Sequence, residues 1–233
     1  MATAEILETL RTKTRVKQDV YDRTLSAFRI LQRLLSRAGE EYAQTVADDQ
    51  RVKVNYSSEG EQHAKLVFGG DTLIFHMHTN VFLFHGEHDI WKLKYLKEDP
   101  YRAYCGVIHV YNFLSDSFHY QRMNDLGYLV ARIFINKEGH FFVESKQTEK
   151  YGTSSFGRSK TSEKSLNTIL EAIVQYSLDF ELLAPPYDAV QEVSVQVMQN
   201  LTFNMRTRTG KRLGFQFKDS STALGDGYAG DEK

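Results

Sequence analysis

The spacing of apolar residues changes at Arg51, and this change constrains the fold more than any other feature of the chain. Between residues 17 and 47, apolar residues recur at steps of three and four with arginines between them, which predicts one long amphipathic helix. After Arg51 the step becomes two, which predicts β-strands. The predicted buried stripe of the helix comprises Tyr21, Leu25, Phe28, Leu31, Leu35, Ala38 and Tyr42.

The segments after Arg51 are rich in β-branched and aromatic residues, and short connectors such as GGD and NKEG indicate antiparallel hairpins. A second helix is predicted near 162–183, because helical spacing returns there and Pro185 and Pro186 would end it. Its predicted buried face comprises Leu166, Ile169, Leu170, Ile173, Val174, Ser177, Leu178 and Phe180. The order of elements predicts an α+β fold in one domain, an antiparallel sheet of about six to eight strands flanked by the two helices.

Length and composition favour one domain at residues 1–219, followed by a disordered tail at 220–233. The segment 188–205 fits a strand or a helix, and both remain open. The net charge of −1 gives no general attraction to nucleic acid or to anionic membranes. A single cysteine, no secretory h-region and no apolar run near about 20 residues predict a soluble cytoplasmic protein without membrane contact.

The stretch GGDTLIFHMHTNVFLFHGEHD holds half of the histidines in the chain. A two-residue turn at 79–80 would make it a hairpin and pair His76 with Leu83. Alternate residues of a strand share a face, so His76, His78 and His85 would then project together. Two interpretations remain open: a divalent metal site, or a hairpin whose histidines each make an ordinary hydrogen bond.

The start of this stretch resembles the opening of the first cupin motif, which binds a metal in a small β-barrel. The resemblance rests on Gly70, His76 and His78 and implies a metal at these histidines. The glutamate of that motif has no counterpart, because Phe82 and Leu83 stand in its place, and the second motif is missing from the sequence. A hairpin without an ion is therefore the favoured interpretation.

The segment FFVESK contains Glu144 and Lys146 and resembles the E-x-K arrangement of the PD-(D/E)xK nucleases. In that chemistry two carboxylates hold a divalent cation and the lysine helps to activate water. With NKEG as the turn, Ala131 would face Glu144, so no second carboxylate stands opposite it. Asp125 would lie about 20 Å away along an extended strand, so a nuclease is a remote alternative.

The basic segment NMRTRTGKRLGFQF near the C-terminus offers another candidate binding site. Cations flanked by aromatic residues suit phosphate, RNA or an acidic protein surface, whereas a solvated turn is the simpler interpretation. The cations of this segment are Arg206, Arg208, Lys211 and Arg212.

Cys105 precedes an apolar strand and is predicted to be a small core residue rather than a nucleophile. The sequence contains no Walker A loop, no GxSxG elbow and no CxxC pair, so no cofactor is predicted.

The block 90–146 and the segment TGKRLGFQF resemble a family of uncharacterised intracellular proteins from Bacteroidetes. The resemblance implies a bacterial cytoplasmic setting and one domain, and it implies no activity or functional residue. Inside the block, YNFLSDSFHYQRMNDLGY places many polar and aromatic residues between two apolar strands. This segment is either a hydrogen-bonded loop that closes the sheet or a recognition surface.

Together these features predict a non-enzymatic, cytoplasmic binding or assembly module that contacts a protein or a nucleic acid. The alternative is a metal- or small-ligand-binding protein, with or without enzymatic activity, that uses the sheet face carrying His76, His78 and His85. A large contact surface would favour the first function, and a concave pocket with convergent polar groups would favour the second.

Overall fold

The computed structural model of the chain describes residues 3–145, 151–184, 186–196 and 198. Seven strands form one sheet in which every pairing is antiparallel. They are β1 Val54–Glu59, β2 His63–Phe68, β3 Asp71–Met77, β4 Phe82–Leu83, β5 Tyr104–Leu114, β6 Tyr128–Asn136 and β7 Phe141–Ser145. Their order across the sheet is β1-β2-β3-β5-β6-β7, and the short β4 also pairs with β5.

The same residues contain six α-helices: α1 Ala4–Thr9, α2 Arg15–Thr45, α3 Lys94–Glu98, α4 Ser115–His119, α5 Glu163–Leu178 and α6 Tyr187–Val190. A π-helical segment, Leu10–Thr14, joins α1 to α2, so the N-terminal helix begins at Ala4 rather than near residue 17. Short 3-10 turns occupy Asp89–Lys92, Pro100–Ala103 and Thr153–Ser155. The predicted α+β fold, with a long N-terminal helix and one antiparallel sheet, is confirmed.

Helix α2 lies across one face of the sheet, which we call the helix face. Its predicted stripe is confirmed, because Phe28 and Leu31 are fully buried at the centre of the main hydrophobic core. The closest approach is at Gly106 of β5, where a Cβ atom would lie 2.2 Å from Oγ1 of Thr24. The Thr24 hydroxyl donates to the carbonyl of Val20 at 2.7 Å and is satisfied within the helix. The helix can therefore rest directly on the β5 backbone because residue 106 has no side chain.

Helix α5 packs beside α2 on the helix face. A capping box starts it: the Ser165 amide donates to the Ser162 hydroxyl at 3.1 Å, and the Ser162 amide donates to the Ser165 hydroxyl at 2.9 Å. The predicted buried face is confirmed from residue 166 to residue 177. The helix ends at Leu178 rather than near 183. The prediction that Leu178 is buried is wrong, because it is exposed, and Phe180 is half-buried beyond the end of the helix.

Within the described residues, a second layer covers one end of the opposite face of the sheet. The segment 84–103 and Phe156 pack there against β5, β6 and β7. The rings of Phe134 and Phe142 stack with centroids 4.9 Å apart, and Phe84 lies 5.0 Å from Phe134. We call this group the aromatic cluster. It leaves the middle of the opposite face without a second layer in the described structure.

A polar network fastens the covering segment to the turn between β6 and β7. Arg102 Nε donates to Glu138 Oε1 at 2.8 Å, and the Tyr95 hydroxyl donates to Glu138 Oε2 at 3.0 Å. Asn136 Nδ2 donates to the same hydroxyl at 2.8 Å. Burial is the main cause that raises the pKa of Tyr95, so its phenol stays protonated. These hydrogen bonds fasten the covering segment to the turn and stabilise the fold.

The turn between β6 and β7 sets a register that differs by one residue from the predicted one. Gly139 has a φ of +77°, which closes a three-residue loop after Asn136 instead of the four-residue loop expected from NKEG. The Asn136 side chain accepts from the amides of Glu138 and His140, both at 3.0 Å. Glu144 therefore pairs with Arg132 and not with Ala131, so the predicted pairing is wrong.

The predicted histidine hairpin is also wrong. Strand β3 pairs with β2 on one side and with β5 on the other, so neither side is left for β4. The chain continues in the same direction past residues 79–81, and β4 extends the pairing along β5. The eleven-residue β5 is long enough to pair with β3 and then with β4 along the same edge. One edge of β3, in contrast, could not pair with both β4 and β5.

Several predictions concern residues outside the described ranges. The cations Arg206, Arg208, Lys211 and Arg212, the domain boundary at 219 and the tail 220–233 lie there. Of the ambiguous segment 188–205, the described part contains the end of α6 and a helical hydrogen bond from the Met198 amide to the Ser194 carbonyl.

Among the helices of the described residues, none combines the length and the apolar character of a membrane span.

We predict that Gly106→Ala destabilises the protein by about 1–3 kcal/mol, because the added methyl group overlaps Thr24 in a packed core. Urea unfolding measures the change in the free energy of unfolding. Gly70→Ala is the matched control, since a Cβ there meets nothing within 4 Å and no positive φ is required. Equal effects of the two substitutions would show that α2 does not rest on β5 at this point.

Candidate binding face

A row of polar side chains crosses the uncovered middle of the opposite face. His63 of β2 pairs with His76 of β3, which pairs in turn with His109 of β5. His109 pairs with Arg132 of β6, which pairs with Glu144 of β7. Directly opposed residues project from the same face of a sheet, so these five side chains stand next to one another. We call them the histidine row.

The layers of the fold explain why the row is accessible. Helices α2 and α5 pack on the helix face, and the aromatic cluster covers the sheet on one side of the row. His76 is exposed, and His63 and His109 are half-buried. The row therefore presents imidazoles to solvent from three neighbouring strands on a rigid support.

The imidazoles lie close enough to influence one another. The ring centroids of His63 and His76 are 6.3 Å apart, and those of His76 and His78 are 6.5 Å apart. Burial is the main cause that holds the pKa of His76 below its ordinary value, and repulsion from His63 and His78 adds to it. Burial also lowers the pKa of His109, followed by repulsion from Arg132. The imidazoles of His76 and His109 are therefore mostly neutral at pH 7 and gain charge only in mildly acidic solution.

Arg132 anchors the β6–β7 end of the row. Its guanidinium forms an ion pair with Glu144 and lies 5.3 Å from the centre of the Phe134 ring. Glu144 also faces His88, with His88 Nε2 3.5 Å from Glu144 Oε1. The charge of Arg132 is thus largely compensated, and its side chain connects the histidine row to the aromatic cluster.

A second line of residues runs beside the row, one step along the strands. Lys65 pairs with Ile74, and Ile74 pairs with Tyr111. The Tyr111 ring stacks on His109 with centroids 5.9 Å apart. The Lys65 ammonium lies 5.3 Å from the centre of the Phe118 ring in α4. The surface around the row therefore mixes apolar, aromatic and cationic groups, which is typical of a binding surface.

A cavity of about 370 Å³ lies beside the end of β7, and Leu129, Arg132, Glu144 and Tyr176 are among the residues that line it. This volume is near the lower end of the range for small-molecule sites. Because Arg132 and Glu144 belong both to the cavity and to the histidine row, a ligand on the row could extend a side chain into the cavity.

The structure brings together only two of the three predicted metal ligands. His76 and His78 are neighbours, whereas His85 is exposed and follows β4, which pairs with β5 at Tyr104. Tyr104 lies five residues from His109, about 17 Å along the strand. Within the described ranges, no group of three or more His, Cys, Asp or Glu side chains is arranged to hold a metal ion.

The arrangement expected for a nuclease is not formed by the residues that the structure describes. Glu144 pairs with a cation, Arg132, where a second carboxylate would be needed. Asp125 instead forms an ion pair with Arg122 at 2.8 Å and accepts from the Ser117 hydroxyl at 2.7 Å. Lys146 lies outside the described residues.

Cys105 is fully buried in the aromatic cluster, and this burial raises the pKa of its thiol. The prediction of a core residue rather than a nucleophile is confirmed.

No protein-family model, no curated protein and no solved structure matches this chain. The resemblance to a Bacteroidetes family stays a prediction, and the geometry of the described residues is the basis for inferring a function.

Sequence reasoning missed His63 and His109 as neighbours of His76. Both lie outside the histidine-rich stretch and come together with it only through pairing of β2, β3 and β5. The available signal was alternation: His109 stands between buried Ile108 and Val110, and His63 precedes buried Ala64 at the start of an alternating strand, which marks the face opposite the core. The order of the strands, however, could not be read from that alternation.

We predict that His63→Asn raises the pKa of His76 towards its ordinary value without fully reaching it, because burial is the larger cause of the shift. Titration of the imidazole Cε1 proton by NMR measures this pKa. The control is His88→Asn, which removes an imidazole that contacts Glu144 instead. A His76 titration unchanged by loss of His63 would contradict the proximity of the two rings.

We also predict that the free energy of unfolding decreases as the pH falls from 7.5 to 5.5. The pKa values of His76, His109 and His140 are lower in the folded protein than the ordinary value of 6.5, so the unfolded chain binds more protons below that pH. Urea unfolding at the two pH values tests this, with a smaller decrease expected for the double substitution His76→Asn and His109→Asn. Stability that rises on acidification would contradict the prediction.

Proposed function

We propose that this protein is a cytoplasmic, non-enzymatic binding module that holds a protein partner. The contact surface consists of the loop 115–127 between β5 and β6, which we call the β5–β6 loop, and the adjoining histidine row. The observation that carries the proposal is that this loop is fixed from inside by a buried ion pair while it exposes large apolar side chains. A loop that only closed the sheet would not need both features.

The interior of the β5–β6 loop is polar and contains a buried ion pair. The side chains of Arg122 and Asp125 are 5% and 7% exposed, and they form an ion pair at 2.8 Å. Asp125 also accepts from the Ser117 hydroxyl, and the Arg122 amide donates to the Ser117 carbonyl at 2.8 Å. A buried ion pair has a high desolvation penalty, so its presence here favours a defined loop conformation rather than stability alone.

The base of the loop is fixed by aromatic packing. A Cβ at Gly127 would lie 2.3 Å from the Phe113 ring, so the ring lies directly on the glycine backbone. The Phe113 and Phe118 rings are in edge-to-face contact with centroids 5.4 Å apart. Gln121 has a φ of +51°, a backbone conformation that a residue with a side chain rarely adopts without support. The loop is therefore held in one conformation before any partner arrives.

The outer surface of the same loop is apolar. Met123 is 87% exposed and Leu126 is 69% exposed. Phe118 and Tyr120 of the same loop and Leu129 of β6 are also exposed. Single exposed apolar residues are common on proteins, but several on one fixed loop are typical of a contact with another protein. Methionine and aromatic side chains are also enriched at such interfaces.

A protein partner fits this surface better than a nucleic acid. Lys65 and Arg132 are the permanent cations on the surface described above, and Arg132 is already paired with Glu144. Sequence-independent binding of nucleic acid relies on several Lys or Arg contacts to phosphate. The net charge of −1 provides no further attraction. The basic segment at 206–212 lies outside the described residues and is not used for this proposal.

The test places a photo-crosslinking amino acid at position 123 and exposes the protein to the extract of cells that express it naturally. We expect one dominant protein adduct at Met123, because this side chain projects from the centre of the apolar surface. The adduct should disappear when Leu126→Glu is added, since a charge in an apolar interface is not compensated.

The control carries the same crosslinker at position 33, where Arg33 is exposed on α2, on the other side of the molecule. Adducts of equal yield at positions 33 and 123, or adducts at 123 that persist with Leu126→Glu, would show that the loop does not hold a specific partner.

A further inference from the structure

We propose that the histidine row binds an acidic segment of the protein partner, whose Asp or Glu carboxylates each contact an imidazole of His63, His76 or His109. This inference rests on the proposed function, because it names the chemistry of the partner that the β5–β6 loop holds. It adds a distinct consequence: the complex forms with uptake of protons and is stronger in mildly acidic solution.

The spacing of the imidazoles fits an extended peptide. Alternate side chains of an extended chain share one side and repeat at about 6.6–6.8 Å. The His63 and His76 rings are 6.3 Å apart, and the His76 and His78 rings are 6.5 Å apart. The first pair lies across β2 and β3 and the second along the chain, so an extended peptide running in either direction can place two carboxylates, two residues apart, on adjacent imidazoles. The exposure of His76 at the middle of the group leaves it open to such a contact.

Protonation of His76 and His109 is disfavoured in the free protein, and a carboxylate beside either imidazole would favour it. Partial burial and the neighbouring imidazoles disfavour charge on His76, and the guanidinium of Arg132 adds to this at His109. A carboxylate at hydrogen-bonding distance would stabilise the imidazolium through a charge-assisted hydrogen bond. Binding and protonation are then thermodynamically linked, so each strengthens the other.

The charged and titratable groups that surround the row come from every strand of its face. On the outer strand β1, Glu59 pairs with His63 and closes that end with a negative charge. On β7, Glu144 closes the other end but is neutralised by Arg132. The remaining groups around the row are Lys65, His78, Tyr111 and His88, whose Nε2 faces Glu144. Protonation of the three central imidazoles would therefore change a nearly neutral surface into a cationic one between two carboxylates.

The charges at the two ends of the row favour a short acidic segment. A long polyanion that followed the sheet past His63 would meet Glu59 and be repelled, and at the other end Arg132 is already paired with Glu144. A segment of two or three carboxylates stays between the two ends. The apolar β5–β6 loop adjoins the row through Phe118, which Lys65 covers, so an acidic segment next to apolar residues would use both surfaces.

The test uses a synthetic six-residue peptide of alternating Glu and Ser, which carries three carboxylates, with calorimetric titration of the full chain at pH 5.5 and pH 7.5. We expect affinity at least about tenfold higher at pH 5.5, which corresponds to a linked shift of about one pKa unit. Titrations in two buffers that differ in ionisation enthalpy should show net uptake of protons. A matched six-residue peptide with its three Glu residues consecutive should bind more weakly, because it has the same charge but its carboxylates do not match the imidazole spacing.

The double substitution His76→Asn and His109→Asn should reduce affinity at pH 5.5 by about tenfold and remove the pH dependence. His85→Asn is the matched control, since His85 is exposed but lies beyond β4, away from the row. Thermal unfolding of each variant at pH 7.5 checks that it is folded. Any of three results would overturn the inference: no binding at pH 5.5, equal affinity at both pH values, or equal loss of affinity with His85→Asn. Tighter binding of oligothymidylate than of the peptide would also overturn it.

The outcomes separate this inference from the proposed function. If position 123 crosslinks to a partner whose binding depends on neither pH nor the histidine substitutions, the proposed binding module is supported and the inference of an acidic partner segment is wrong. If the peptide binds the row as expected but position 123 gives no specific adduct, the row binds carboxylates and the role of the β5–β6 loop is wrong.

Discussion

The contact between Thr24 of α2 and Gly106 of β5 is the constraint on which the rest of the structure depends. Because residue 106 has no side chain, the long helix rests on the backbone of the longest strand and covers the strands on either side of it. This close packing lets one helix, with α5 beside it, bury the apolar side chains of the helix face. The opposite face is then not needed for the main core and can carry polar residues.

The opposite face is divided between a stabilising cover and the proposed binding surface. The aromatic cluster, held by the network around Glu138, covers one end and buries Cys105. The histidine row begins where this cover stops, and Arg132 belongs to both regions through its contacts with Phe134 and Glu144. The β5–β6 loop adjoins the row on the other side. The proposed surface requires no change in the main core, because the residues of the row project away from the helix face.

Local patterns predicted what depends on local physics. The stripes of α2 and α5 were predicted well, because helical burial follows a fixed period whatever the partner is. The registers were predicted poorly. In the β6–β7 turn, Gly139 adopts the left-handed conformation, and the loop is one residue shorter than predicted. Arg132, rather than the predicted Ala131, therefore lies opposite Glu144. The edge of β3 that was predicted to pair with β4 pairs with the longer β5 instead. No local sequence pattern shows which of the two strands takes that edge.

The sequence by itself determined the α+β class, the two long helices and the burial of Cys105, since period and hydropathy specify these properties. Only the tertiary structure decided which residues of different strands stand side by side. It separated His85 from His76 and placed His63 and His109 on either side of His76. It also placed Arg122 and Asp125 inside a loop whose methionine points outward. The physical reason is that strand order is set by the packing of the whole sheet against α2, and no single segment of the chain contains that information.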